Sequence, residues 1–580
     1  MKPSQLDAIA SLAFSSKKLG PLPIINRVCE RLQLDRILEE YVPFTDRRVK
    51  LPPAKALGLL VRNVLVSREP IYGLGEWAAQ YDAGVLRLPE KCLALLNDDR
   101  VGRSLDKLFR ADRAGLVAAL VVQAQRQFGL ELEQLHNDTT TITFEGRYEF
   151  GDGRHYHGKP TRRITWGYNK DHRPDLKQLV YALTTTADGA VPVWCSVEHG
   201  NTTDDKTHIG TWDALRKLVG TSDFRYVADS KLCTIENMAH ITNAGGRFIT
   251  VMPRTRKEDS WFRDWMQTNE VAWEEVFRQP NSRQKDGDDE VYRAFESPQR
   301  SAEGYRVIWY YSSQKQVQDH QSRRDRMDRA FSALGRLRER MKSPRTRLTT
   351  EEKVSKEATK IIAACNAERW VEFSVTVNTE EHYKQAGPGR PSKNTQYVRQ
   401  EQRKLDITFR GNEENLRYDS RTDGVFPLIV NESAENLSMR DALLAYKHQP
   451  HLERRFHGLK SINEVMPVML HSPARIEAFL FVYFMAIFVD ALIEREIRNE
   501  MECQGIQSLP LYGEGRACSA PTTDRIFTLF ADTRRHVLIG PSGEVLRQLH
   551  DDLSPTQRKV LKLLGISTSK YFGDGAPRAS

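Results

Sequence analysis

The sequence predicts a mixed α/β protein, and three observations carry that prediction. From about Ile24 to Leu130 the pattern is helical: apolar residues such as Leu57, Leu60, Val61, Val64 and Leu65 recur at three and four spacing behind Pro52 and Pro53. At Leu135 the pattern changes to β-branched alternation in LHNDTTTITF. Strand, hairpin, strand, helix and strand signals then follow in the order that a sheet with covering helices requires.

Each element has a local reason. The runs QLVYALTTT, ADGA and VPVWCSVEH read as a hairpin, and FRYVADS as a further strand, so a sheet occupies roughly residues 135 to 229. TIENMAHITNAGG reads as one helix, with Thr234 as N-cap, Glu236 in the first turn and Gly245 just past the end. RFITVMP resumes a strand. Between about Arg254 and Asn431 the composition turns basic and heterogeneous, with a strand at Arg306 to Tyr311 and long polar helices from Arg323 to Cys365. DGVFPLIVN closes this block as a strand, and helices return from Leu437 to Glu500. The apolar run Phe479 to Val489 is too short to span a bilayer and is flanked by Glu477 and Asp490, which predicts a buried helix.

Composition narrows the function classes. At 580 residues the chain exceeds one ordinary core. Its net charge of +9 favours a polyanionic partner without identifying one. The seven cysteines are scattered and never spaced as C-x-x-C, so neither a zinc site nor a disulfide framework is indicated, and a cytoplasmic setting is expected. The N-terminal run Met1 to Phe14, broken by Asp7, is too weakly apolar for a signal peptide.

Two basic stretches stand out. From Arg323 to Arg347 ten lysines and arginines face three acids, beginning with Arg323 and Arg324, on a helix whose Phe331, Leu334 and Leu337 could pack. A phosphate-contacting surface and a solvated helix face are equal readings of it. GPGRPSK, Gly387 to Lys393, places Arg390 in a turn-forming run that resembles the minor-groove Gly-Arg-Pro hook of some DNA-binding proteins; a flexible hairpin tip reads it equally well.

Three carboxylates sit where chemistry can use them. Asp138 lies in the first strand among Asn137, Thr139 and Thr140, a poor way to fill an apolar core. Asp229 ends the strand Phe224 to Asp229, and carboxyl ends of strands in open α/β sheets are where ligands bind. Two such acids repel unless a hard divalent cation accepts their oxygens. Glu453 stands beside the stripe Leu452, Phe456 and Leu459, and Lys460, seven residues on, falls near the same helix edge. Singly, each of these is as readily a cap, a turn residue or a weak surface pair.

Taken together, the residues resemble DDE-type insertion-sequence transposases of the superfamily named after insertion sequence four. The Tyr-x2-Arg-x3-Glu-x6-Lys signature of that family maps to Tyr446, Gln449, Glu453 and Lys460, with every spacing kept and the arginine replaced. LHNDTTTITFEG, GYNKDHRPDLKQ, GNTTD, YVADSKLCTIENM, LNDDRVGRSLDKLF and the helix PARIEAFLFVYFMAIFVDALIERE resemble the same family, so the resemblance covers roughly residues 20 to 530.

The resemblance implies a ribonuclease-H-like catalytic core interrupted by an insertion domain, with a helical N-terminal domain and a helical C-terminal tail. Expected bounds are 1–130 for the helical domain, 131–255 and 436–500 for the core, 256–435 for the insertion and 501–580 for the tail. The insertion accounts for the 224 positions from Asp229 to Glu453, against 91 from Asp138 to Asp229. By the same resemblance Asp138, Asp229 and Glu453 hold two magnesium ions, replaceable by manganese, while Tyr446, Gln449 and Lys460 touch the DNA backbone. The implied reaction is hydrolysis at the ends of a mobile element, followed by attack of the freed 3′ hydroxyls on target DNA. Double-stranded DNA is the expected partner, with a homodimer or higher assembly on it, in the cytoplasm at the nucleoid. A DNA-binding protein that keeps this fold without catalysis is the alternative. Pro450 predicts that the Glu453 helix starts there, which leaves the placement of Gln449 and Tyr446 to the tertiary structure.

Overall fold

The structure, a computed structural model, describes residues 13–44, 49–156, 158–281, 287–343, 345–462 and 470–573. Most of the run Met1 to Phe14 lies outside these residues. Two compact units are formed, one by residues 1–250 with 444–580 and the other by residues 251–443.

The first unit opens with strand β1 (Ala13–Lys18) and a set of helices: α1 (Leu22–Arg31), α2 (Leu34–Tyr41), α3 (Pro53–Val66), α4 (Asp98–Arg110) and α5 (Arg113–Phe128). Proline at the start of α3 fills a position whose N–H has no helical partner, and Asn97 and Asp112 cap α4 and α5 by accepting from Arg100 N and Gly115 N. α3 is buried nearly all round, including Arg62, whose guanidinium donates to Asn26 and to Asp35. These helices pack with the sheet in one unit instead of forming a domain of their own.

The sheet follows. β2 (Gln134–Phe144), β3 (Lys177–Thr186) and β4 (Pro192–Glu198) run antiparallel in that order; α6 (His208–Val219) leads to β5 (Arg225–Ala228), and α7 (Ile235–Asn243) to β6 (Arg247–Val251). The strand order is β4-β3-β2-β5-β6, with β5 parallel to both β2 and β6. β2 is therefore central, which explains why its alternating threonines are buried on both faces. Thr234 caps α7 from its side chain as the sequence predicts, and Gly245 adopts φ +78° just beyond the helix end.

The second unit contains α8 (Lys257–Thr268), strands β7 (Glu274–Gln279), β8 (Glu290–Glu296) and β9 (Arg306–Ser312), and helices α9 (Ser313–Met341) and α10 (Glu351–Ala364). A long ribbon of β10 (Val371–Gln385) and β11 (Tyr397–Gly411) leads to α11 (Glu413–Thr422) and β12 (Val425–Val430). β7, β8, β9 and β12 pair antiparallel in sequence. A separate apolar cluster of Ala330, Leu334, Leu337, Val354, Ala358, Ile362, Val371 and Ile407 joins α9 and α10 to the base of the ribbon. α12 (Met439–Lys447) follows the unit's last strand.

The remainder of the first unit consists of α13 (Gln449–His457), α14 (Pro473–Cys503), α15 (Thr523–Phe530), β13 (Arg534–Ile539), β14 (Val545–His550), α16 (Pro555–Leu563) and α17 (Thr568–Phe572). α14 is long and apolar enough to cross a membrane by length and composition, but it is buried against α1, α3, α4 and β4. The tail is not purely helical, contrary to expectation: β13 pairs antiparallel with β14 and with β1 from the other end of the chain. Sequence spacing hides this sheet because its strands are short and one partner lies more than 500 residues away.

Candidate active site

The site is built on the parallel ladder between β2 and β5. Asn137 lies opposite Ala228, so Asp138 and Asp229 follow at the same level on adjacent strands and face the same way, about 5 Å apart backbone to backbone. Asp138 is held by its own turn of chain, accepting from Thr139 N at 2.7 Å. Asp229 accepts from Lys231 N at 2.9 Å as the chain leaves β5.

Lys170 supplies the positive charge among these acids. Its ammonium lies 3.6 Å from Asp138 and 3.1 Å from Asp204, and it donates to Thr139 O and Thr139 Oγ1, each at 2.7 Å. Thr139 Oγ1 in turn donates to Asp204 at 2.6 Å. The loop that presents Lys170 is folded by Asn169, which donates to Gln178 and accepts from Asp171 N and Arg173 N; Gln178 donates to Gly200 O. Four separated stretches of sequence thus meet here: the β2 strand, the Gly167 to Gln178 loop, the turn around Asp204 and the end of β5.

The electrostatics follow from this crowding. Burial lifts Asp138 to about 6 against the opposing pull of Lys170 and the Thr139 amide, with a smaller push from Asp229 and Asp204. Burial likewise raises Asp229. Lys170 loses ionisation through burial, but Asp138, Asp204 and Asp229 more than restore it and leave it above the ordinary lysine value. Burial, and then the charges of Asp229, Glu453 and Asp138, push the Tyr446 phenol up to about 12.

α13, the helix that carries Glu453, packs against β2. Gln449, at its first turn, donates to Asn137 O at 3.1 Å and meets His136 Nδ1 at 3.3 Å, beside Asp138 on β2. Glu453 is four residues on, one turn further along that side of the helix, and is exposed where Gln449 is buried. Arg455 secures the other side of the helix, donating to Ala190 O and Gly189 O in the β3–β4 turn and to Glu494 of α14. His136, under Gln449, is driven down to about 3, chiefly by burial, and is neutral in this contact.

Several expectations change. Gln449 does not face a phosphate: it is 7% exposed and both ends of its amide are engaged inside the protein. The helix starts at Gln449 with Pro450 inside its first turn, because proline restrains the residue before it without forbidding helix entry there. Lys460 is not on the same regular helix as Glu453; α13 ends at His457, and Lys460 sits in a π-helical turn, Gly458–Ile462, with its ammonium 2.7 and 2.8 Å from the Asp171 oxygens. Arg323 is no phosphate ligand either, since it is 7% exposed and donates to Asp423 at 2.9 Å within the second unit. Arg324, the next residue, is exposed, as is Arg390. Lys170, Asp204 and Arg455 were not singled out from sequence; the first two lie within stretches that the resemblance marks, whereas Arg455 gives no signal without knowledge of the turn it clamps.

As arranged, no three His, Cys, Asp or Glu side chains among the described residues form a group ready to hold a metal ion. The donor chemistry nevertheless suits a hard divalent cation: two half-buried aspartates at one level, both raised chiefly by burial, with Asp204 beside them and Glu453 acting on the same Tyr446 phenol.

A family model described as a domain of unknown function (DUF4277) matches residues 14–122, the helical region ahead of the sheet. No curated protein matches the chain. Among solved structures, the chain is similar to the cryo-EM structure of a piggyBac transposase synaptic complex with hairpin DNA, at 11% identity and a TM-score of 0.24. That similarity covers 50% of this chain and 60% of the transposase, and at this level it carries no argument about function.

Proposed function

We propose that this chain is a DDE-type transposase that cleaves the ends of a mobile element and joins them to double-stranded DNA. The observation that supports the reading is the placement of Asp138 and Asp229 side by side at the ends of adjacent strands, with Lys170 and Asp204 beside them. Two acids sit at one level on adjacent strands, and Gln449 ties the helix that carries Glu453 to the first of those strands, 312 residues away in sequence. The insertion-sequence resemblance assigns Asp138, Asp229 and Glu453 through motif spacing, and it implies a ribonuclease-H-like arrangement for strands β2 to β6.

Asp138, Asp229 and Glu453 are the residues that would hold magnesium. When bound, the metal activates a water or 3′ hydroxyl and stabilises the departing oxygen. The protein's own groups prepare the site. Lys170 offsets the carboxylate charge and must yield its 3.6 Å contact with Asp138 when another cation enters. Gln449 and Arg455 fix the helix that carries Glu453. Tyr446, protonated at neutral pH, carries a hydroxyl of the kind that donates to a backbone phosphate. The helices before Leu130 are assigned to recognition of the element ends.

The test is incubation of the purified chain with magnesium and labelled DNA of candidate element ends. Nicked and then joined products are expected, and they vanish with Asp138→Asn. A protein that binds ends with full affinity yet gives no cleavage in magnesium or manganese is the non-catalytic DNA binder, and that result ends the transposase reading.

A further inference from the structure

The β10–β11 ribbon is an unusual use of chain. Its base is anchored, with Val371 and Ile407 in the α9–α10 cluster and Phe373, Val375, Leu405 and Phe409 packed against it. From Val377 to Lys404 every residue is exposed except Gln385 and Thr395, which are intermediate. Nine residues of paired strand, about 30 Å, therefore extend past the last apolar support before the tip. A two-stranded ribbon alone in water is marginally stable, so such an arm gains most from a partner.

Its charges are sorted along its length. In the outer half, Glu380 pairs with Lys404, and Arg399 with Glu381 and Glu401. From Lys384 to Arg399 there are four basic residues and no acid. Lys384, Arg390 and Lys393 have no ion pair among the described residues. Tyr383 and Tyr397 are more than half exposed and share one face of the ribbon near its end.

The tip itself is narrow. Gly387, Pro388, Gly389 and Pro391 surround Arg390, so the guanidinium is the one long side chain of that run. Gly389, at φ +142°, takes a conformation that disfavours any larger residue, and Gln385 donates to its carbonyl at 3.0 Å. The minor groove of B-DNA is only about 6 Å wide, and where A·T runs narrow it further its negative potential draws in arginine.

We propose that this ribbon is a DNA-reading arm whose Gly389-Arg390-Pro391 tip enters the minor groove of A·T-rich duplex, with Lys384 and Lys393 on the flanking phosphates. A second copy of the chain is disfavoured as the occupant, because the tip would approach a protein of net charge +9. The inference rests on the chain acting on DNA but is independent of catalysis.

The test measures binding of the full chain by fluorescence anisotropy in chelator, where no cleavage occurs. The ligands are matched duplexes rich in A·T, in G·C, and in inosine·cytosine, which presents an A·T-like minor groove and a G·C-like major groove. Wild type is expected to favour A·T and inosine·cytosine about equally over G·C, by roughly tenfold. Arg390→Ala removes that preference, and Arg390→Ala with Lys393→Ala lowers the salt slope by about two. Both positions are exposed, and an unchanged melting temperature confirms that the variants fold. The proposal is overturned by three results: equal affinity of wild type for all duplexes; inosine·cytosine behaving as G·C; or variants that match wild type on DNA while changing the oligomeric state by sedimentation. Loss of the A·T preference in Arg390→Ala, with cleavage by that variant retained in a parallel magnesium assay, supports the arm; failure of wild type to cleave in that assay with its preference intact sinks the transposase reading and leaves the arm standing.

Discussion

The acid site and the ribbon both concentrate charge, but they do so under opposite conditions. Around Asp138 the charges are half-buried, each is contacted by a partner, and burial itself moves their ionisation. On the ribbon tip Arg390 and Lys393 stand in solvent. A buried charge without its partner is costly, so its position is dictated closely by neighbouring atoms. An exposed charge costs little and is free to act at long range on a polyanion. The same contrast recurs within two residues of α9: Arg323 is paired inside with Asp423, and Arg324 faces outward.

The largest expected effect tests the acid side of this contrast. Asp138→Asn, Asp229→Asn and Glu453→Gln each remove a carboxylate at nearly constant volume, and each is expected to slow strand cleavage by at least about 10³-fold while end binding is retained. Single-turnover assays on labelled ends measure this. A variant with wild-type rate takes its residue out of the site.

Next comes the pair inside the second unit. Arg323→Ala leaves Asp423 buried and unpaired, with an expected loss of about 3–5 kcal/mol in denaturant unfolding. Arg324→Ala, one residue away, should change stability by less than about 0.5 kcal/mol. Similar losses for both would erase the distinction between buried and exposed charge on this helix.

Gln449 gives a smaller effect with a diagnostic sign. Gln449→Leu leaves Asn137 O without its donor, at an expected cost of about 1–3 kcal/mol, and Gln449→Arg forces a guanidinium into the same buried space. Both variants should melt lower than wild type and cleave more slowly, because Glu453 loses its support. Tighter DNA binding by Gln449→Arg without loss of stability would show that the position opens to a phosphate.

The smallest effect is graded by pH. Asp138 must be ionised to accept a metal, and its value near 6 means that it is protonated below that point. Cleavage at limiting magnesium should therefore rise about tenfold per unit as pH increases towards 6 and level off above it. A profile flat from pH 4.5 to 7 would contradict the raised value.

Much of the fold could be read from the chain. Helix α7 announces itself by Thr234 and Gly245, the β3–β4 hairpin by its alternating strands and ADGA turn, and β9 and β12 by their apolar runs. These signals are local, set by caps, turns and periodicity within a few residues. The pairing of β1 with β13 was not legible, because short half-exposed strands carry weak propensity and nothing in sequence links positions so far apart.

The acids divide in the same way. Sequence by itself singled out three candidate carboxylates, since Asp138 among threonines, Asp229 at a strand end and the Glu453 spacing are local facts or motif facts. Only the tertiary structure decided what surrounds them. Gln449 became an inward clamp because the helix entry at Pro450 turns it onto β2, and Lys170 became the counter-charge because Asn169 and Gln178 fold its loop over Thr139. Periodicity reports which face of an element is apolar, but it does not report what that face meets. Burial and charge pairing depend on atoms brought together from distant parts of the chain, and those are set only when the chain folds.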